Sequence, residues 1–332
     1  MLCILHLSDL QCGKPFRPDA AAALVRFARA VGPDVVVVAG DLTQRAKPRE
    51  FVRAARLLEE LGDGPVVVTP GNHDVPLYRV WERLFAPYRN WRRHVSPHLN
   101  EVTRVEGATF VALSSAAPHR AIVGGRLDAA QVDFARSAFS EAPDTDVRVL
   151  VVHHHFVPTV AGEGGRPLPR ARALLEAFED MGVDLVLGGH IHQTRVLFSG
   201  ELVSERAGPG IPLIACGTTT SGRGRGGERG WNSLNQVCVG PTSMEITAYR
   251  RPPGGTDFER AESVSVERLR PARDASAQGA GGAAADAIAP VRRQPHGAGE
   301  AHEDREGPEG RDVGERREAQ ARRDAHARRG AP

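Results

Sequence analysis

The run Asp34-Val35-Val36-Val37-Val38-Ala39 constrains this chain more than any other stretch. Four valines in succession offer no polar face, so a strand built from them must be covered on both sides. Strands of that kind occur in parallel sheets with other layers packed over each face. The run stops at Gly40-Asp41, and the same grammar recurs along the chain. Residues 2–8 lead to Ser8-Asp9, Val66–Val68 to Gly71-Asn72-His73-Asp74, Val147–Val152 to His153-His154-His155, and Val183–Leu187 to Gly188-Gly189-His190-Ile191-His192.

Helical patterns separate these runs. Leu24, Phe27 and Val31 fall on one face of 19–31, with Asp19 as the expected N-cap and Gly32-Pro33 as the stop. Phe51, Val52, Ala55, Leu58 and Leu61 form a stripe over 48–61, which stops at Gly62. This alternation predicts a parallel sheet covered by helices. Trp81, Leu84, Phe85, Tyr88 and Trp91 suggest a helical cap, and 101–105 with 109–113 a hairpin turning at Glu106-Gly107. Helices are expected over 128–140 and up to Met181. Short strands near 194–199, 201–206, 211–216, 234–239 and 243–249 predict a second, more antiparallel sheet. After Phe258 no aromatic residue occurs, and Ala, Gly, Arg, Asp and Glu dominate. We therefore expect a folded domain over 1–251 and a disordered, mixed-charge tail over 252–332.

Composition narrows the function classes. A net charge of +2 with mixed signs argues against a general nucleic-acid binder. No apolar run approaches the ~20 residues of a membrane span. The N-terminus lacks a basic segment followed by a long apolar one, so it reads as a first strand of a cytoplasmic protein. The four cysteines, Cys3, Cys12, Cys216 and Cys238, lack paired spacing and read as reduced thiols.

In an open α/β sheet, ligands bind beyond the carboxyl ends of the strands. Here five strand ends carry Asp9 with Gln11, Asp41, Asn72-His73-Asp74, His153-His154-His155, and His190 with His192. Carboxylate, carboxamide and imidazole donors together suit Mn, Fe, Zn or Ni. The donors exceed the needs of one closed tetrahedral site, and two ions sharing a bridging carboxylate would use them all. The Gly- and Arg-rich loop Ser221–Gly230 could reach over such a site and grip a phosphodiester or a base; a mobile surface loop is the equal alternative.

The ordered set Asp9-x-Gln11, Gly40-Asp41, Gly71-Asn72-His73-Asp74, His154 and Gly189-His190-x-His192 resembles the calcineurin-like metallophosphoesterase superfamily over about 2–250. The resemblance implies a four-layer α/β/β/α sandwich of two mixed sheets holding two divalent metal ions. His6-Leu-Ser-Asp9 and Asn232-Ser-Leu-Asn235 look most like the bacterial cyclic-nucleotide phosphodiesterase branch. Carried over by position, Asp9 and His192 would hold the first metal, together with Gln11, which stands where the family has His. Asp41 would bridge. Asn72, His154 and His190 would hold the second metal, with His153 as the alternative to His154. His73 would face the phosphate as general acid or electrostatic donor, oriented by Asp74.

The implied reaction is phosphoester hydrolysis by a bridging hydroxide attacking phosphorus in line, with 3',5'-cyclic nucleotides as the best single substrate. A nuclease or lipid-phosphodiester hydrolase of the same superfamily is the enzymatic alternative, and nucleic acid stays open as a partner. A non-catalytic scaffold with a degraded site is the alternative of another class, toward which Gln11 is a mild step.

Overall fold

The computed structural model describes residues 1–119, 124–158, 165–203 and 208–269. β1 (Leu2–Leu7), β2 (Val35–Val38) and β3 (Val66–Val68) lie parallel in register, with Leu7 opposite Val38 and Val38 opposite Val68. The crossovers are α1 (Pro18–Val31) and α2 (Pro48–Glu60). Each opens on a proline, whose missing N–H is one of the unpaired donors of a first turn in any case. The second sheet is built from β5 (Ala108–Leu113), β6 (Val147–Val152) and β7 (Leu185–Gly188), also parallel. Its crossovers are α5 (Ala129–Ser140) and α6 (Ala171–Asp180). Asp128 caps α5 by accepting from the Gln131 N–H at 2.9 Å, while Gln131 Oε1 accepts from the Asp128 N–H at 3.2 Å.

The valine run shows why there are four layers. Val36 and Val38 pack under α1 and α2, while Val35 and Val37 point the other way, into a core shared with the second sheet. β6 does the same: Leu150 and Val152 face α5 and α6, and Val149 and Val151 face the first sheet. Each fully buried valine contributes roughly 1.5 kcal/mol or more. A polar residue at any of these four β2 positions would meet an apolar layer whichever way it pointed.

The chain after β7 departs from the expected layout. β8 (Arg195–Phe198) and β9 (Pro212–Ala215) join the second sheet, which begins with β4 (Glu101–Val105) and runs β4-β5-β6-β7-β9-β8. β10 (Asn232–Val239) and β11 (Ser243–Arg251) instead return to the first sheet, β10 antiparallel to β1 and β11 antiparallel to β10. The late strands therefore divide between two mixed sheets and form no sheet of their own. Over 201–206 no strand is seen in the described part: Ser199–Glu201 is a single 3₁₀ turn, and 204–207 lie outside the described residues. The boundary expected at 251 also falls too early, because β12 (Glu259–Glu267) pairs with β11 along its length. That strand is mostly exposed and polar, so it carried no apolar signal. The rest of the expected tail lies outside the described residues.

The aromatic stretch after the third strand forms two short helices, α3 (Val80–Phe85) and α4 (Arg89–His94), separated by Pro87. Trp91 is buried edge-on against Phe51, whereas Trp81 and Phe85 stack on each other in the open. Cys3 and Cys238 stand opposite each other in the β1–β10 register with sulfurs 3.1 Å apart, a proximity their sequence spacing does not reveal. Among the described residues no helix is long and apolar enough to cross a membrane.

Candidate metal centre

The carboxyl ends of three strands of the first sheet and two of the second meet at one place. β1 delivers Asp9 and Gln11, β2 delivers Asp41, and β3 delivers Asn72 and His73. β6 delivers the histidine triplet, and β7 delivers His190 and His192. Among the described residues seven non-glycine positions have positive φ, and Asp9, Gln11, Asp41, His190 and His192 are five of them. Left-handed backbone is costly for such residues and gathers where a side chain must be aimed. Two glycines permit the close approach. Gly40 has φ +87°, and a Cβ there would stand 2.5 Å from the His153 ring; a Cβ on Gly71 would stand 2.1 Å from Asp41 Oδ1.

Asp9, Asp41 and His153 are buried, and one ligand atom from each lies within 4.8 Å of the others. His153 Nε2 is 3.5 Å from Asp41 Oδ1, and its Nδ1 donates to the Ala39 carbonyl at 2.6 Å. His192 is held the same way: Nδ1 donates to the Arg223 carbonyl at 3.0 Å, and Nε2 faces Asp9 Oδ1 at 3.2 Å. A backbone acceptor on Nδ1 fixes the tautomer that leaves Nε2 as a ligand atom. Asn72 Oδ1 and His190 Nδ1 lie 3.0 Å apart. Asp9 Oδ2 accepts from Ser8 Oγ at 2.7 Å and from the His190 N–H at 3.0 Å.

Asp41 Oδ2, His153 Nε2 and His190 Nε2 are buried without a hydrogen-bond partner. Buried polar atoms are rarely left so, and Asp41 and His153 belong with Asp9 to the group whose ligand atoms lie within 4.8 Å of one another, which fits a cation between them. The donor set of carboxylates, carboxamide and imidazoles fits divalent metals.

His154, the expected ligand, turns its Nδ1 to Ser115 Oγ at 2.7 Å, and the alternative, His153, places Nε2 3.5 Å from Asp41 Oδ1. Asp74 does not orient the His73 ring. Its carboxylate accepts from the N–H groups of Gly71, Leu42 and Thr43 and from Thr43 Oγ1, which ties the β3 loop to the β2 loop. The His73 ring is set by Gln44, whose carbonyl accepts from Nδ1 at 3.0 Å. Its Nε2 accepts from Arg223 Nη1 at 3.1 Å, and its backbone N–H donates to Asp41 Oδ1 at 2.8 Å. Gln44 and Ser115 carry no motif signal in the sequence. The loop from Ser221 was visible by composition, and it does lie over the site.

Gln11 sits beside Asp9 and His192, its Nε2 3.4 Å from Asp9 Oδ1 and 3.5 Å from His192 Nε2. Its oxygen accepts from Ser221 Oγ at 3.2 Å. The carboxamide thus turns its nitrogen, not its oxygen, toward Asp9 and His192. Gln11→His should tighten metal at one of two positions by about tenfold or more. Titration calorimetry checks this, and unchanged affinity at both positions would count against it.

The electrostatics of the metal-free cluster give a pH prediction. Burial pushes the Asp41 carboxyl up, but His153 and His73 outweigh it and hold it well below the usual carboxylate range. Burial pushes His153 down, and the Asp41 charge reverses this, raising it from 6.5 to about 9. Asp74 is pushed up to about 7 by burial and by the nearby Asp41 charge, against the pull of its donors. Burial lowers His190 and His192. Because the folded His153 value lies above 6.5, its stabilising pair with Asp41 is fully present below 6.5 and lost as pH rises through about 9. Metal needs the neutral ring. Metal loading at pH 7.5 should therefore release about one proton and strengthen as pH rises toward 9. Calorimetry in two buffers of different ionisation enthalpy reads the proton directly, and identical heats in both would contradict the assignment.

Residues 3–194 match the family model of the calcineurin-like phosphoesterases. The chain belongs to that family of metal-dependent phosphoesterases. It is 32% identical over 176 residues to a probable cyclic nucleotide phosphodiesterase of Synechococcus, an overlap of 52% of this chain and 63% of that relative. It is 27% identical over 217 residues to a cAMP/cGMP dual specificity phosphodiesterase of Mycobacterium tuberculosis, covering 61% of this chain and 63% of the relative. The chain thus spans less than two thirds of the length of both. A purple acid phosphatase from yellow lupin shares the fold, with TM-score 0.60 at 12% identity over 80% of this chain and 53% of that one. This phosphoesterase therefore has the four-layer sandwich of its family.

Proposed function

We propose that this phosphoesterase hydrolyses phosphodiesters with two divalent cations, and that 3',5'-cyclic nucleotides are its substrates. The observation that carries the reading is the buried meeting of Asp9, Asp41 and His153. Asp9 and His192 would hold one cation, with Gln11 beside it. Asn72, His190 and His153, in place of His154, would hold the other, and Asp41 would touch both. When bound, such ions lower the pKa of water and neutralise phosphate charge. Ser8 and the His190 N–H fix the Asp9 carboxylate, so that it need not reorganise on binding. His73 keeps its proton on Nδ1 against Gln44 and presents Nε2 at the mouth of the site. The likeness to the two cyclic nucleotide phosphodiesterases supports the substrate class.

The test is a substrate panel on metal-free protein reconstituted with Mn²⁺, Fe²⁺, Zn²⁺ or Ni²⁺. Hydrolysis of bis-p-nitrophenyl phosphate, and of 3',5'-cAMP above single-stranded DNA and glycerophosphodiesters, is expected. A folded protein without turnover in any of these metals would sink the enzyme reading. Preferred cleavage of DNA would sink the substrate class.

A further inference from the structure

The loop after β9 brings a charge to the site that the metal-ligand pattern does not contain. Arg223 Nη1 donates to His73 Nε2 at 3.1 Å and to Gln44 Oε1 at 3.3 Å. Both acceptors are neutral, and no carboxylate of the described residues pairs with this half-buried guanidinium. Burial lowers its pKa, against the pull of the Asp41 and Asp9 charges. The backbone beneath it is anchored, not mobile. The Arg223 carbonyl accepts from His192 Nδ1, the Arg225 N–H donates to the His192 carbonyl at 3.2 Å, and Ser221 Oγ donates to Gln11. The Gly222 N–H donates to the Pro15 carbonyl at 2.8 Å. The loop thus touches Gln11 and His192 through Ser221 and its backbone, and reaches His73 through the Arg223 side chain.

We propose that Arg223 binds the substrate phosphoryl group. The proposal rests on the phosphoesterase reading and adds to it a cation supplied by the protein. In the free protein the guanidinium is parked on His73 and Gln44, which are weaker acceptors than a phosphoryl oxygen. A phosphodiester at the metal centre presents non-bridging oxygens, and Arg223 exchanges neutral acceptors for charged ones. A guanidinium offers two parallel donors to such oxygens, where a lysine offers a point charge. Charge on those oxygens grows as the nucleophile adds, so the contact strengthens in the transition state and acts on kcat as well as KM. Departure of Arg223 also frees His73 Nε2 toward the leaving group.

The experiment uses the full chain loaded with Mn²⁺ and takes inorganic phosphate as the binding probe, with bis-p-nitrophenyl phosphate turnover measured alongside. Arg223→Ala should weaken phosphate binding about tenfold or more and lower kcat/KM about 100-fold, with Mn²⁺ stoichiometry unchanged. Arg223→Lys should recover part of the loss, and added guanidinium should raise turnover of the alanine variant without raising that of wild type. Unchanged phosphate affinity in Arg223→Ala would overturn the proposal. So would loss of Mn²⁺ in step with loss of phosphate binding, which marks the loop as a support for His192 only. If wild type turns over no phosphoester, the function proposed above fails on its own, and the phosphate titration still decides the role of Arg223.

Discussion

Asp41→Asn is expected to lose tight binding of metal at both positions and to lower phosphodiester turnover by roughly 10³-fold or more. Changes one shell away from a metal already cost about 10–100-fold in affinity or activity. Asp41 has a ligand atom within 4.8 Å of those of both Asp9 and His153. One oxygen accepts the His73 N–H and faces His153, and the other has no hydrogen-bond partner. The isosteric amide keeps the shape and removes the charge. It also removes the largest of the influences that raise His153, leaving the Asp9 charge and the Ala39 carbonyl against burial, so its value should fall from about 9. The variant should then release less than one proton on loading with any residual metal. Inductively coupled plasma mass spectrometry reads the metal, and retention of both ions with full turnover would refute the bridging role.

Asn72→Ala and His73→Ala should part company, although the residues are adjacent. Asn72 Oδ1 points at His190 among the candidate ligands, so its loss should weaken one cation about 10–100-fold, and excess Mn²⁺ should restore part of the activity. His73 offers neither ring nitrogen inward as a free donor: Nδ1 is on Gln44, and Nε2 meets Arg223. Its removal should leave both cations bound and slow turnover about 10²–10³-fold, without rescue by metal. Parallel metal loss in both variants would overturn this division.

Much of this was legible in the sequence because buried parallel strands leave an apolar signature and their ends a polar one. The valine run and its counterparts specify the strands, and the residues after them are the ones the fold brings together. Three features were not legible, each for a physical reason. His153 and His154 are neighbours past the end of a strand, and only the approach of Ala39 from the other sheet turns the His153 ring toward Asp41. The return of β10 to β1 is a pairing of residues as far apart as Cys3 and Cys238, with no local signal. Asp74 reads as a partner for the histidine before it, but the β2 loop presents backbone donors that satisfy its carboxylate more fully.

The central claim is that strand ends from two sheets form one centre for two cations that works on phosphodiesters. It is tested most directly by titrating metal-free protein with Mn²⁺ while following both calorimetric stoichiometry and hydrolysis of bis-p-nitrophenyl phosphate. The account predicts two ions per chain, with turnover appearing as the second binds, and neither event in Asp41→Asn. A single bound ion at full activity, or two ions bound equally well in Asp41→Asn, would contradict it.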